Sequence, residues 1–209
     1  MKENDTLESL KKEINLLVEK ITSIMHKDVD FIPGISSIPV NGRVFDSSEI
    51  KNLVSASLDF WLTDGEYSEE FSKKMSNFLS MKHVRLVNSG SSANLVALSS
   101  LTNKKIKNFI SKGDEVITSA VGFPTTVNPI FQNNLIPVFV DSVIGTYNPT
   151  ADMIIDAYSD KTKAIFLAHT LGNPFEAEKI RDCINSVLWA DEIILADSHS
   201  TDGTSEIAK

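Results

Sequence analysis

Apolar positions in the first thirty residues recur with a helical spacing on a segment that is otherwise rich in Glu and Lys. The six positions are Leu7, Leu10, Ile14, Leu17, Ile21 and Ile24. Their mean period of 3.5 residues predicts an amphipathic helix, and we assign residues 1–30 to an N-terminal helical arm. Its apolar stripe has two interpretations: the helix docks on a partner subunit, or it lies on its own domain.

The following segment predicts a connector and two further helices. Residues 31–40 (FIPGISSIPV) contain two prolines and a glycine, which are typical of an extended connector. Apolar residues then recur at helical spacing over Ser47–Thr63 and again over Tyr67–Leu79. The sequence Thr63-Asp64-Gly65 is expected to end the first of these helices.

From residue 83 onward, short apolar runs alternate with stretches of helical periodicity. The predicted strands are His83–Val87, Val116–Thr118, Ile136–Val140 and Ala164–Ala168. Strands that alternate with helices indicate a parallel sheet with crossover helices. In such sheets ligands bind beyond the carboxyl ends of the strands, so the residues that follow each run are the candidates for function.

Composition and charge narrow the classes of partner. Twenty Lys and Arg residues against 28 Asp and Glu residues give a net charge of −8, which argues against a nucleic-acid surface. The single cysteine, Cys183, excludes an internal disulfide and a four-cysteine metal site, and it suits a reducing compartment. The charged N-terminus is unlike a signal peptide, and no apolar run has the length of a membrane span. We therefore expect a cytoplasmic protein without a metal, nucleic-acid or membrane partner.

The polar segment Asn88–Ser92 lies between a predicted strand and a predicted helix. A helix N-terminus presents free N–H groups and the positive end of the helix dipole, which together bind phosphate. Gly90 permits close approach of a ligand to the main chain, and Ser91 and Ser92 add hydroxyl donors. The alternative is an ordinary Ser or Asn helix cap with no ligand.

Several longer strings carry a resemblance to a known family. They are WLTDGEY, VNSGSSANL, GDEVIT, GFPTTVNPI, PVFVD, TYN and AIFLAHTLGNPF. They resemble the sugar aminotransferase and dehydratase family of fold-type-I B6 enzymes, and within it the branch of sugar-nucleotide 3-dehydratases that act in deoxysugar and lipopolysaccharide O-antigen biosynthesis. The resemblance implies a three-layer α/β/α large domain over residues 31–178, incomplete because its C-terminal half is absent.

The resemblance also implies a cofactor, pyridoxamine phosphate or pyridoxal phosphate. Gly90, Ser91 and Ser92 would hold its phosphate, in agreement with the argument from the helix N-terminus. Phe123 would stack on the pyridine ring; its alternative role is that of a core aromatic residue.

By the same resemblance, His169 and Asn173 would lie beside the cofactor or the sugar. His169 has a second interpretation, a strand-end histidine whose hydrogen bonds are satisfied within the protein. In the family's dehydratases the cofactor condenses with the 4-keto group of a nucleotide-linked 4-keto-6-deoxysugar and its ring acts as electron sink, while a histidine moves the proton. That base would lie in the missing half, so we assign no catalytic residue.

Residues 179–209 resemble a different family. The strings RDC, SVLWADE, IIL and DSHSTDGT are similar to family 2 glycosyltransferases. Asp197 follows a predicted strand over Ile193–Ala196, which is about where the B6 family places the aspartate that pairs with the pyridine nitrogen. The alternative is that Asp197 is an ordinary turn residue at a strand end.

Three hypotheses follow from the sequence. The first is a truncated or fused relative of the B6-dependent sugar 3-dehydratases that is inactive alone. The second is a non-catalytic protein that uses the arm to form a homo-oligomer or to pair with a full-length relative. The third is a glycosyltransferase remnant, which rests on the tail.

Overall fold

A computed structural model describes residues 2–27, 30–38 and 44–186. The chain divides into two compact units between Val84 and Arg85. The first unit contains three helices, α1 (Lys2–Met25), α2 (Ser47–Asp59) and α3 (Glu66–Phe78). All three predicted helices of this part are therefore confirmed. The connector is not simply extended, because residues 33–36 form a turn in which Gly34 has a φ of 79°.

Helix α2 begins where the sequence predicts and ends earlier. Asp46 caps its N-terminus through a reciprocal capping box with Glu49. At the other end Phe60 adopts a left-handed conformation with a φ of 49°, and its N–H bonds to the carbonyl of Ser57. A left-handed residue interrupts the helical hydrogen-bond ladder, so the helix ends before the predicted Thr63-Asp64-Gly65 stop.

The second unit alternates helices and strands. Its elements are α4 (Gly90–Leu101), β1 (Glu115–Ser119), α5 (Pro124–Gln132), β2 (Ile136–Val140), α6 (Ala151–Asp156), β3 (Thr162–Ile165), a 3-10 turn (Thr170–Gly172) and α7 (Ala177–Ser186). The three strands form a parallel sheet in the order β2-β1-β3. Within it Ile117 of the central strand lies opposite Val138 on one side and Ile165 on the other.

Helices cover both faces of this sheet. On one face Val116 and Phe166 pack with Leu98 of α4 and Ile130 of α5. On the opposite face Ile117 packs with a cluster from α6, α7 and the loop before α7, which includes Ile154, Phe175 and Ile180. Neighbouring residues of β1 therefore point into different cores, as the two-residue period of a strand requires. The three-layer α/β/α arrangement predicted for this region is confirmed.

One predicted strand is wrong and another is displaced. Residues His83–Val87 lie in none of the three described strands, and Leu86 and Val87 are about two-fifths exposed. An apolar run becomes a strand only where a neighbouring strand completes its main-chain hydrogen bonds. Strand β3 covers Thr162–Ile165, two residues before the predicted start, although Phe166 still donates from its N–H to the carbonyl of Ile117 at 2.8 Å.

Candidate functional site

Helix α4 begins at Gly90, so the end of the polar segment Asn88–Ser92, predicted to precede a helix, forms part of its first turn. Ser89 is the N-cap, and its Oγ accepts the N–H of Ser92 at 3.2 Å. The Oγ of Ser92 in turn donates to Oδ1 of Asn88 at 2.6 Å. The first N–H groups of a helix have no acceptor within it, so this cap leaves those of Gly90 and Ser91 for a ligand.

The space in front of Gly90 is open. A Cβ atom built on this residue would meet no other atom within 4 Å. Gly90 is therefore not required for packing, and its missing side chain leaves the main chain at the helix end accessible. An anion can reach the N–H groups here, where the helix dipole favours negative charge.

A cleft of about 180 Å³ lies between α4 and α5. Its lining comprises Ser91, Ser92, Leu95, Thr125, Asn128, Pro129 and Gln132. The Nδ2 of Asn94 donates to the main-chain oxygen of Thr125 at 3.3 Å and so links the N-terminal half of α4 to the first turn of α5. The N-terminus of α4 thus borders a cleft with three side-chain hydroxyls, those of Ser91, Ser92 and Thr125, which suits a phosphate group.

Phe123 occupies the N-cap position of α5, directly after the turn that follows β1. Its side chain is 70% exposed, so the core-aromatic interpretation is wrong. Pro124 follows at the first helical position, where its missing N–H costs no hydrogen bond. The ring of Phe123 therefore lies at the start of α5 and is exposed to a planar ligand.

His169 follows β3 and is held by Phe175. Its Nδ1 accepts the main-chain N–H of Phe175 at 3.2 Å, and the two ring centroids lie 4.3 Å apart. This contact satisfies one ring nitrogen, as the strand-end interpretation requires. The other nitrogen, Nε2, is buried and has no hydrogen-bond partner among the described residues. A buried donor without a partner is uncommon and marks a place where a ligand group would be accommodated.

Asn148 positions the loop that carries His169 and Asn173. The buried Asn148 side chain donates from Nδ2 to the main-chain oxygen of Asn173 at 2.9 Å, and its Oδ1 accepts the N–H of Thr170 at 3.3 Å. The Asn173 side chain is exposed and donates to the carbonyl of Thr146 at 3.4 Å. Sequence reasoning did not select Asn148, and its only signal was its place in the TYN string.

The predicted site residues form two groups. Ser91 and Ser92 line the cleft between α4 and α5, whereas His169 and Asn173 share the loop after β3. Phe123 and α5 follow the carboxyl end of β1, and the His169 loop follows that of the neighbouring strand β3, where ligands of parallel sheets bind, whereas Ser91 and Ser92 come before β1 in the chain. Asp197, the predicted partner of the pyridine nitrogen, lies outside the described residues.

Neither a metal site nor a membrane-spanning helix is present among the described residues. No cluster of three His, Cys, Asp or Glu side chains is arranged to hold a metal ion in the part of the chain that the structure describes. Over the same residues, none of the helices combines the length and hydropathy that a membrane crossing requires.

Comparison with known proteins identifies relatives along most of the chain. The lipopolysaccharide biosynthesis protein RfbH of Salmonella typhimurium is 46% identical over 189 residues, which are 90% of this chain and 43% of the relative. The dTDP-4-dehydro-2,6-dideoxy-D-glucose 3-dehydratase of Saccharopolyspora spinosa is 49% identical over 153 residues, or 73% of this chain and 33% of the enzyme. The chain thus spans less than half the length of either relative.

Solved structures and a family profile point to the same group of enzymes as these relatives. The structure of GDP-4-keto-6-deoxy-D-mannose-3-dehydratase from Escherichia coli with bound hydrated PLP matches with a TM-score of 0.66 and 34% identity, over 71% of this chain and 38% of that one. Residues 45–190 match the profile of the DegT/DnrJ/EryC1/StrS aminotransferase family. The chain is therefore a member of the DegT/DnrJ/EryC1/StrS aminotransferase family, with the fold of its B6-dependent enzymes.

Proposed function

We propose that this chain provides the phosphate-binding part of a pyridoxal or pyridoxamine phosphate site in a sugar-nucleotide 3-dehydratase of deoxysugar and lipopolysaccharide biosynthesis. The observation that carries the proposal is the N-terminus of α4, where Gly90 leaves the main chain open and Ser91 and Ser92 face a cleft. Relatives that match this chain include 3-dehydratases of nucleotide-linked sugars, one of them solved with bound hydrated PLP.

The described residues fit the two ends of such a cofactor. The phosphate would accept hydrogen bonds from the N–H groups of Gly90 and Ser91 and from the hydroxyl of Ser91. Ser92, whose hydroxyl donates to Asn88, would line the phosphate site beside them. Phe123, whose ring is exposed at the start of α5, would stack on the pyridine ring. A phosphate of double negative charge at a helix N-terminus needs no lysine or arginine, which accords with the acidic composition of the chain.

His169 and Asn173 would form the side of the pocket that faces the ring or the sugar. Because Nδ1 of His169 accepts from Phe175, Nε2 carries the proton of the neutral ring and can donate to a ligand oxygen. The cofactor, when bound, supplies an electron sink for loss of a hydroxyl group next to a keto group. The proposed substrate is accordingly a nucleotide-linked 4-keto-6-deoxysugar.

We also propose that these 209 residues do not turn over the sugar alone. Among the predicted site residues that the structure describes, only His169 has an ionisable side chain, and its Nδ1 accepts the N–H of Phe175. The base that moves the substrate proton would come from a longer chain or a full-length partner. Asp197 remains the proposed partner of the pyridine nitrogen, and the cytoplasm remains the predicted location.

Titration with each form of the cofactor, followed by absorbance and fluorescence, tests the proposal. We expect saturable binding that is weakened in Ser91→Ala and in Phe123→Ala. Matched controls are Ser100→Ala and Phe131→Ala, which make the same chemical changes near the other ends of α4 and α5. Absence of binding in a folded chain, or equal losses in the controls, would reject the phosphate site.

A second candidate function is non-catalytic pairing with another subunit. The specific observation in its favour is the apolar stripe of α1, most of which is exposed. Co-purification with a full-length relative, without dependence on cofactor, would support this candidate. The glycosyltransferase interpretation of residues 179–209 remains a sequence prediction, and nucleotide-sugar binding that depends on Asp197 and Asp202 is its test.

A further inference from the structure

Helices α4 and α5 are joined by two side-chain hydrogen bonds, one near each end of the pair. Near the N-termini, Nδ2 of Asn94 donates to the main-chain oxygen of Thr125 at 3.3 Å. Near the C-termini, Nδ2 of Asn133 donates to Oγ of Ser99 at 3.0 Å. All four residues are partly buried. The two helices therefore lie side by side in the same direction, and each hydrogen bond ties one end of α5 to α4.

Pro129 explains why the oxygen of Thr125 accepts a hydrogen bond from another helix. In a regular α-helix this oxygen would accept the N–H of the residue four positions later, which is residue 129. Pro129 lies buried inside α5 and has no N–H to donate. The donor that the helix would normally provide is therefore missing, and Asn94 of α4 supplies one in its place. A main-chain oxygen left unpaired in this partly buried place would cost free energy, so the contact is favoured.

The Asn94–Thr125 hydrogen bond joins the two parts of the proposed cofactor site. Asn94 lies one helical turn after Gly90, at the phosphate end, and Thr125 lies two residues after Phe123, whose ring would stack on the pyridine. We infer that Asn94 is a positioning residue, which sets the distance between the phosphate-binding N-terminus of α4 and the ring of Phe123. This inference rests on the proposed function. Groups that are held in place before a ligand arrives lose less conformational freedom on binding, so the cofactor should bind more tightly.

Titration of the full chain with two ligands tests the role of Asn94. Asn94→Leu keeps a side chain of similar size and removes the donor. We expect its affinity for pyridoxal phosphate to fall about tenfold, because the phosphate and ring contacts are no longer held in register. Inorganic phosphate reaches only the α4 end, so its affinity, measured by NMR, should stay within about twofold of the parent's. Asn133→Leu is the matched control, since it removes the hydrogen bond at the other end of the helix pair and should leave both affinities unchanged.

A Pro129→Ala background keeps the test valid if Asn94→Leu alone folds poorly. Alanine restores an N–H at residue 129, so the oxygen of Thr125 regains a donor within α5. In this background Asn94→Leu should cost less stability by denaturant titration than in the parent, while the loss of cofactor affinity persists.

The possible results separate this inference from the proposed function. A parent chain that binds pyridoxal phosphate no more tightly than Asn94→Leu does, or equal losses in Asn94→Leu and Asn133→Leu, would overturn the inference and leave the proposed site standing. A tenfold loss of inorganic phosphate affinity in Asn94→Leu would also overturn it, because Asn94 would then act on the phosphate contacts alone. No cofactor binding by the folded parent chain would overturn both.

Discussion

The side chain of Asn148 holds the main chain of Asn173 through a 2.9 Å hydrogen bond from Nδ2 to the carbonyl oxygen. The other atom of the same amide, Oδ1, accepts the N–H of Thr170 at 3.3 Å. One buried side chain from the segment before α6 thus fixes both ends of the 3-10 turn after β3. The conformation of the His169–Asn173 loop therefore depends on a residue that lies outside it.

Replacement of Asn148 should destabilise this loop. Asn148→Leu leaves a main-chain donor and a main-chain acceptor without their partner, and a buried unsatisfied group costs about 1–3 kcal/mol. We expect a loss of unfolding free energy in that range and faster amide hydrogen exchange at Thr170. Denaturant titration and hydrogen exchange with mass spectrometry measure the two effects.

Asn108→Leu is the control for this substitution. It makes the same change in side-chain chemistry at an exposed position. It should change stability by no more than about 0.5 kcal/mol. If both variants lost the same stability, or if exchange at Thr170 were unaltered in Asn148→Leu, the assigned role of Asn148 would be wrong.

Local sequence determines some elements of this fold more completely than others. Strand β2 covers the predicted Ile136–Val140, and β1 extends the predicted Val116–Thr118 by one residue at each end. These runs are apolar, short and bounded by polar turns, so the pattern alone defines them. The run at His83–Val87 has similar composition but lies outside the described sheet. Strand formation there depends on a neighbour, which no local pattern specifies.

The candidate site also contains features that local sequence predicts and features that it does not. The serine-rich turn after residue 87 was predicted because helix N-termini have a recognisable polar signature. The role of Asn148 in holding the His169–Asn173 loop was not predicted, because its partners Thr170 and Asn173 are more than twenty residues away in sequence. Burial of Phe123 was also undetermined by the sequence, because an aromatic residue beside a helix start suits both a core and a ligand surface.

The N-terminus of α2 should lose stability in acid. Hydrogen bonding from the main-chain N–H of Ser48 lowers the pKa of Asp46 below its ordinary value of 3.8, with smaller contributions from the Ser48 side chain and Lys51. A carboxyl group whose pKa is lowered by folding stabilises the fold above its ordinary pKa. That contribution is lost as pH falls from about 4 through the lowered pKa.

Helix content measured by circular dichroism between neutral pH and pH 2 tests this expectation. Asp46→Asn retains a good N-cap without an ionisable group, so its profile should lack the part of the acid transition that belongs to Asp46. Asp5→Asn removes a carboxylate from the first turns of α1 and serves as the control. Identical acid profiles for Asp46→Asn and the parent chain would contradict the assigned cause.

Gly90→Ala should separate ligand binding from stability. A Cβ atom here meets nothing within 4 Å, and alanine is a better helix former than glycine, so thermal stability should be unchanged or slightly raised. The same methyl group would cover the N–H groups proposed to bind phosphate. We expect the cofactor affinity to fall by about tenfold or more while the melting temperature holds.

Gly122→Ala is the matched control, because a Cβ atom there also meets nothing within 4 Å and Gly122 is not among the residues proposed to bind the phosphate. A stable Gly90→Ala protein with unaltered cofactor affinity would remove Gly90 from the site. A large loss of melting temperature would instead show that the open space in front of Gly90 is needed for folding.

The tautomer of His169 follows from its contact with Phe175. A main-chain N–H can only donate, so the Nδ1 that accepts it carries no proton, and the proton of the neutral ring lies on Nε2. Nitrogen-15 NMR of labelled histidine distinguishes the two ring nitrogens and should show this assignment. Phe175→Leu keeps the N–H donor and removes the stacked ring, so the tautomer should persist while the ring proton shifts of His169 change. Protonation at Nδ1 in the parent chain would mean that Nε2 is not the donor. His169 could then not donate to a ligand oxygen as proposed.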